Sequence, residues 1–209
     1  MIRHILFDLD STLYSVRYGL EEKMRHRIQE FVIPWLDLPR EEAMRQWKDG
    51  FKRCGTTIEW LTSEKGFTAV DDYHAYTHPF DEAEPLLPDP QLRSFLENLP
   101  CPCSILTNSP DFHADRVIKK LELEGIFQQI FDIKYNNHMG KPHASAFYRA
   151  LEVLGLQPEE VLFVDDLPRY VEGYLAIGGR GILLDELDAH TDYPHQRIKS
   201  LYELTRFFD

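Results

Sequence analysis

Residues Val161-Leu162-Phe163-Val164 carry no polar side chain and run straight into Asp165-Asp166. A strand that is apolar on both faces needs cover on both faces, as in a parallel sheet flanked by helices. The neighbouring sequence repeats that theme. Leu92, Phe95, Leu96 and Leu99 have helical spacing and precede a strand-like run, Cys103 to Leu106. A helix is predicted from Pro110 to about Glu124, closed by Gly125, and a strand near Ile130 to Ile133. Ala144, Phe147, Leu151 and Leu154 mark a helix ended by Gly155, and Val171 and Leu175 another, broken at Gly178-Gly179. Ile182 to Leu184 is the last predicted strand. Strands alternating with helices predict an α/β fold built on a doubly wound parallel sheet.

The beginning of the chain reads differently. Ile2 to Phe7 is a short apolar strand ending at Asp8. Helical spacing then takes over at Leu20, Met24, Ile28 and Phe31, with Pro34 as a stop, and again at Ala43, Met44, Trp47 and Phe51. A third helix starts at about Thr57, carries Ile58 and Leu61 and stops at Gly66; a fourth carries Val70, Tyr73 and Phe80. The proline-rich stretch Glu84 to Pro90 reads as a boundary. The predicted division is therefore a core of residues 1–14 and 86–209, with an all-helical insert at 15–85.

Composition narrows the function classes. In 209 residues with 43% apolar content there is enough to bury a sizeable core. A net charge of −12 disfavours a nucleic-acid polymer or an anionic membrane as partner, while a local cluster of donors can still hold a small anion. Three cysteines, Cys54, Cys101 and Cys103, give no disulfide framework and suit a reducing cytoplasm. No apolar run approaches the ~20 residues of a membrane span, and no signal peptide is read at the start. A cytoplasmic monomer or weak homodimer is expected.

In an open parallel sheet the ligand site lies beyond the carboxyl ends of the strands. Here those ends carry Asp8-Leu9-Asp10-Ser11-Thr12, Thr107-Asn108-Ser109, Gly140-Lys141-Pro142 through a loop, and Asp165-Asp166. Carboxylates gathered that closely repel, and some are driven to protonate. A hard divalent cation removes the conflict, and Mg²⁺ suits a site of one or two carboxylates completed by water and substrate phosphate. Each piece has a plainer reading alone: Asp8 and Asp10 as turn residues, Thr107 to Pro110 as a helix cap, Lys141 as a solvated loop lysine.

In order and placement these segments resemble the four motifs of the haloacid dehalogenase superfamily. The resemblance implies a Mg²⁺-dependent phosphatase. Asp8 would be the nucleophile, forming an aspartyl-phosphate, and Asp10 the general acid and base. Thr107, Asn108 and Lys141 would hold the phosphoryl group. Asp8, the main-chain carbonyl of Asp10, Asp166 and Asp165 would surround the metal. Many members carry Asp or Asn where this chain has Tyr170, which puts one contact to the metal shell in doubt.

The helical insert then resembles the superfamily's specificity cap. Tyr14 after the first motif, the Gly55-Thr56-Thr57 loop and Asp166-Leu167-Pro168-Arg169 are similar to the pyrimidine 5′-nucleotidase branch. That similarity implies a nucleoside 5′-monophosphate such as UMP or CMP, contacted by Tyr14, Tyr18, Thr56 and Thr57. Dehalogenation is disfavoured by Asp10, and phosphonate hydrolysis by the lack of a recognisable cap lysine. A sugar-phosphate phosphatase or mutase, or a non-catalytic phosphate-binding module, stays open. His4, His26, His74, His78, His113, His138, His143, His190 and His195 are expected at the surface, without a role.

Overall fold

A computed structural model describes residues 1–208. Its centre is a six-stranded, all-parallel sheet of strands β1 (His4–Phe7), β2 (Cys103–Leu106), β3 (Ile130–Phe131), β4 (Val161–Asp165), β5 (Arg180–Leu184) and β6 (Arg197–Ile198), in the spatial order β3-β2-β1-β4-β5-β6. The chain builds outward from β1 on one side, then returns to place β4 on the other. That reversal opens a crevice at the carboxyl ends of β1 and β4.

Both faces of the sheet are buried, as the apolar β4 run requires. Ile5, Phe7, Leu162 and Val164 point to one face, under α5 (Pro90–Glu97), α6 (Asp111–Lys120) and the 3₁₀ turns of Leu201–Phe207. Leu6, Val161 and Phe163 point to the other, under α7 (Ala144–Leu154) and α8 (Pro168–Ala176). On this second face Phe147, Phe163 and Tyr174 meet pairwise at ring distances of 5.1 to 5.3 Å.

Between β1 and β2 lie α1 (Leu20–Trp35), α2 (Arg40–Cys54), α3 (Thr57–Glu64) and α4 (Val70–Thr77). Their apolar faces meet in a separate core of Val32, Trp47, Ile58, Trp60, Leu61, Phe67 and Tyr73, which touches the sheet domain through Ile133. Leu20 and Ala83, at the two ends of this helical block, pack instead into the core of the sheet. Among the described residues no helix is long and apolar enough to cross a membrane.

Several predicted boundaries move. β6 is an additional strand, too short and too polar at Arg197 to register as apolar periodicity. The helix after β2 ends at Lys120 rather than Glu124, because Glu122 takes a left-handed φ of 58° four residues after Ile118. It starts at Asp111, with Pro110 in the capping position. Phe80 lies beyond α4 and is 83% exposed, so it belongs to no buried helical face. Pro34 sits inside the last turn of α1, which continues to Trp35.

Candidate active site

Strand register sets the site. Phe7 is level with Val164 and with Ile105, so Asp8 leaves β1 beside Asp165 and just before Thr107. The Asp8 amide donates to the Val164 carbonyl at 2.8 Å, extending the ladder by one rung. Asp10 follows through a tight turn in which Ser11 takes a left-handed φ of 56°.

Lys141 reaches in from the loop before α7 and is fully buried. Its Nζ donates to Asp8 Oδ1 and to Asp165 Oδ2, each at 2.6 Å. The rings of Phe163 and Tyr170 flank the ammonium at 5.4 and 5.0 Å. Tyr170, the departure noted in the sequence, thus forms an aromatic wall for Lys141, and its hydroxyl accepts from Arg169 at 2.9 Å. Asn108 clamps the same lysine by its backbone. Its Oδ1 accepts from the Lys141 amide at 2.8 Å, and its Nδ2 donates to the Lys141 carbonyl at 2.9 Å. A Cβ on Gly140 would collide with that Asn108 side chain. Thr107, also buried, turns its Oγ1 to the Ser109 amide at 3.0 Å.

One lysine does not neutralise the acids around it. Asp8, Asp165 and Asp166 each bring a carboxylate oxygen within 4.8 Å of the others, and Asp166 Oδ1 is buried with no hydrogen-bond partner. Burial, then the charges of Asp165, Glu21 and Asp8, push the Asp166 carboxyl up to about 10. Burial likewise drives Asp8 well above the usual carboxylate range despite Lys141. Burial would lower Lys141, yet the charges of Asp165 and Asp8 outweigh it and hold the ammonium protonated. An all-oxygen cluster with excess negative charge and an orphaned oxygen is the donor set a hard divalent cation fits.

Asp10 is treated differently by its surroundings. Its Oδ2 accepts from Ser109 Oγ at 2.6 Å, and its Oδ1 from the Tyr14 hydroxyl at 2.7 Å and from His113 Nε2, also at 2.7 Å. Burial alone would raise its pKa; the charge and hydrogen bond of His113, with Ser109 and Tyr14, hold it below the ordinary carboxylate range.

Above these groups opens a cavity of about 410 Å³. Asp8, Asp10, Thr107, Asn108 and Lys141 form its base; Met24, Ile28, Trp47, Phe51, Thr56, Thr57 and Tyr73 of the helical block form its roof, with Glu21, Arg25 and Lys48 among them. Thr56 caps α3 by accepting from the Glu59 amide at 3.1 Å, and Thr57 accepts from the Trp47 indole at 2.9 Å. Burial and the nearby carboxylates raise Glu21 to about 7. The roof is pinned to the base. His143 meets the Cys54 carbonyl at 2.6 Å and Glu59 at 2.9 Å, while Arg169 donates to the Gly55 carbonyl. Tyr18 lines a different depression, beside Tyr14 and Glu186, and does not face this cavity.

The family model of haloacid dehalogenase-like hydrolases matches residues 2–178. This chain belongs to the haloacid dehalogenase-like hydrolases. It is 26% identical to a phosphatase of Mycobacterium tuberculosis, over 96% of this chain and 95% of that protein. It is 30% identical to the glyceraldehyde 3-phosphate phosphatase of Methanopyrus kandleri, over 79% and 76%. In fold it is similar to a haloacid dehalogenase-family phosphatase from Thermococcus onnurineus, with a TM-score of 0.64, 18% identity and coverage of 99% and 97%.

The hydrolase departs from the sequence reading at its histidines. His4, His74, His78 and His113 are buried, and His143 is bonded across the roof, so the expectation of surface histidines is corrected. His113 escaped because its position in the first turn of α6 carries no spacing signal. What aims it at Asp10 is the placement of that turn beside the end of β2. Under the plainer reading of Thr107 to Pro110 as a helix cap, Ser109 would cap α6; its hydroxyl donates to Asp10 instead.

Proposed function

We propose that this hydrolase is a Mg²⁺-dependent phosphatase of small phosphate monoesters, with a nucleoside 5′-monophosphate such as UMP or CMP as substrate. The observation that carries the reading is Asp8, held by Lys141 beside the Asp165–Asp166 pair at the floor of the roofed cavity. The phosphatase relatives from Mycobacterium and Methanopyrus support the reaction class.

Asp8, Asp166, Asp165 and the main-chain carbonyl of Asp10 would hold the Mg²⁺, which when bound supplies positive charge for the phosphoryl oxygens. Lys141 keeps one Asp8 oxygen fixed and adds a fixed cation beside the transferring group. Asp8 attacks phosphorus; the bond from phosphorus to the ester oxygen breaks, and the leaving oxygen takes a proton from Asp10. Water then attacks the phosphorus and gives its proton to Asp10; the bond from phosphorus to the Asp8 oxygen breaks, and phosphate leaves with the Asp8 carboxylate restored. In the free enzyme Asp10 is held ionised. The negative charge of an arriving phosphate ester works in the opposite direction and favours its protonation. Thr107 and Asn108 border the phosphoryl position.

Residues 1–14 and 86–209 would act as the catalytic core and 15–85 as a cap that excludes water and selects the leaving group. Trp47 and Phe51 line the cavity as aromatic partners for a base, Phe51 with the Arg169 guanidinium over its ring at 4.3 Å, and the Thr57 hydroxyl keeps a proton to donate to a base edge. Tyr14 and Tyr18 lie beneath and beside the site, so their part in selection would be indirect.

The test is release of inorganic phosphate from nucleoside 5′-monophosphates, sugar phosphates and other esters, with Mg²⁺ and with a chelator. Best turnover on UMP or CMP, lost with chelator, is the expected result. Turnover confined to sugar phosphates would overturn the substrate, and no turnover of any ester would overturn the reaction.

A further inference from the structure

Asp10 sits at the end of a row of charged side chains that the reaction scheme above does not use. His113 Nε2 lies 2.7 Å from Asp10 Oδ1, and its other nitrogen, Nδ1, lies 2.5 Å from Glu82 Oε1. Glu82, in the stretch that joins α4 to α5, takes Arg27 of α1 on its other oxygen at 3.1 Å. The side chains of His113 and Glu82 are each 3% exposed. Arg116 of α6 ties down the same stretch by donating to the His78 and Pro79 carbonyls at 3.2 and 3.1 Å. The His78 ring covers the flank of His113 at a centroid distance of 4.6 Å.

A ring bonded at both nitrogens and walled on its flank has one orientation. A carboxylate bonded to that ring has its Oδ1 placed to within a hydrogen-bond length. Of these three described partners of Asp10, Tyr14 and Ser109 come from the turns after β1 and β2, and His113 connects it to the helical block through Glu82 and Arg27.

We propose that His113, oriented by Glu82, is the positioning residue that aims the Asp10 carboxyl at the leaving-group oxygen. The proposal rests on the reading of Asp10 as general acid. A misaimed acid harms esters whose leaving oxygen must be protonated as the bond breaks; an aryl ester such as p-nitrophenyl phosphate, whose leaving group is stable as an anion, feels it far less. The ratio of kcat/KM for an alkyl ester to that for the aryl ester reads this directly, because kcat/KM covers only the steps up to transfer onto Asp8. A general loss of packing would lower both esters together and leave the ratio alone.

The experiment measures that ratio, with Mg²⁺, for the parent enzyme, His113→Ala, His113→Gln, Glu82→Gln and Asp10→Asn. The alkyl ester is the one hydrolysed best in the substrate screen. His113→Ala is expected to lower the ratio about 10- to 100-fold, part of the 10²–10⁴-fold that a placed general acid contributes. Glu82→Gln lowers it by less, and His113→Gln, whose amide can still donate to Asp10, recovers most of it. An unchanged ratio in both His113→Ala and Glu82→Gln, with a lowered ratio in Asp10→Asn, overturns the proposal and leaves the general-acid reading standing. An unchanged ratio in Asp10→Asn overturns the general-acid reading itself, and the proposal with it. If His113→Ala does not fold, Glu82→Gln decides by the same ratio.

Discussion

At the scale of single residues, burial decides which groups can carry charge. His4 is 2% exposed and makes one side-chain hydrogen bond, 3.0 Å to Ser104 Oγ on the neighbouring strand. Burial pushes its pKa down to about 4. In the unfolded chain an imidazole titrates near 6.5, so between those values the unfolded state binds a proton that the folded state refuses. His4 therefore leaves stability intact above the unfolded value and removes it as pH falls toward the folded one, by about 2 kcal/mol once pH 5 is reached. His74, lowered to about 3 chiefly by burial, acts with the same sign. Urea unfolding at neutral pH and at about pH 5 should show this loss, and His4→Gln should remove His4's share of it. A pH response unchanged by His4→Gln would contradict the assignment. Asp8, Asp10, Asp165 and Asp166 were legible in the sequence because they stand at predicted strand ends, and Lys141 because it lies in the loop that follows the predicted strand near Ile130 to Ile133. His113 and Glu82 were not, because their contacts with Asp10 and with each other span 103 and 31 residues and leave no local pattern.

At the scale of elements, the helical block shows how much packing lies beyond periodicity. Trp47, Ile58 and Leu61 were expected on buried helical faces and are buried there. The close crossing of α2 and α3 was not legible, because it depends on Gly50. The Trp60 ring lies where a side chain at that position would go, with three ring atoms 2.3 to 2.4 Å from an added Cβ. Trp60 is itself 1% exposed, a large ring inside the core of the helical block. Gly50→Ala should therefore destabilise the protein by about 1–3 kcal/mol as an overpacked core, although alanine is the better helix former. Urea unfolding measures it; a neutral or stabilising effect would mean that the two helices part easily. Loop ends were the least legible feature. Glu122 in a left-handed conformation ended α6 before Gly125 could.

At the scale of the whole molecule, one reversal of strand order brings Asp8 from the start of the chain beside Asp165 and Asp166 from its last third. Folding thus gathers acids that repel each other, and a bound cation should return part of that cost. A ligand that binds only the folded state at about 100 times its Kd stabilises by about 2.7 kcal/mol. Saturating Mg²⁺ should accordingly raise Tm by roughly 5–10 °C, since a domain of this size gains about 2–4 °C per kcal/mol. Asp166→Asn should raise the Tm of the metal-free protein and abolish the Mg²⁺ increment; an undiminished increment would place the cation elsewhere. The most direct test of the central claim, that Asp8 carries the phosphoryl group, is an acid quench during turnover followed by mass analysis of the peptides. A phosphoryl increment on the peptide containing Asp8, absent without Mg²⁺ and absent in Asp8→Asn, is the predicted result. Steady turnover with no increment on that peptide, together with an Asp8→Asn variant that works at the parent rate, would contradict it.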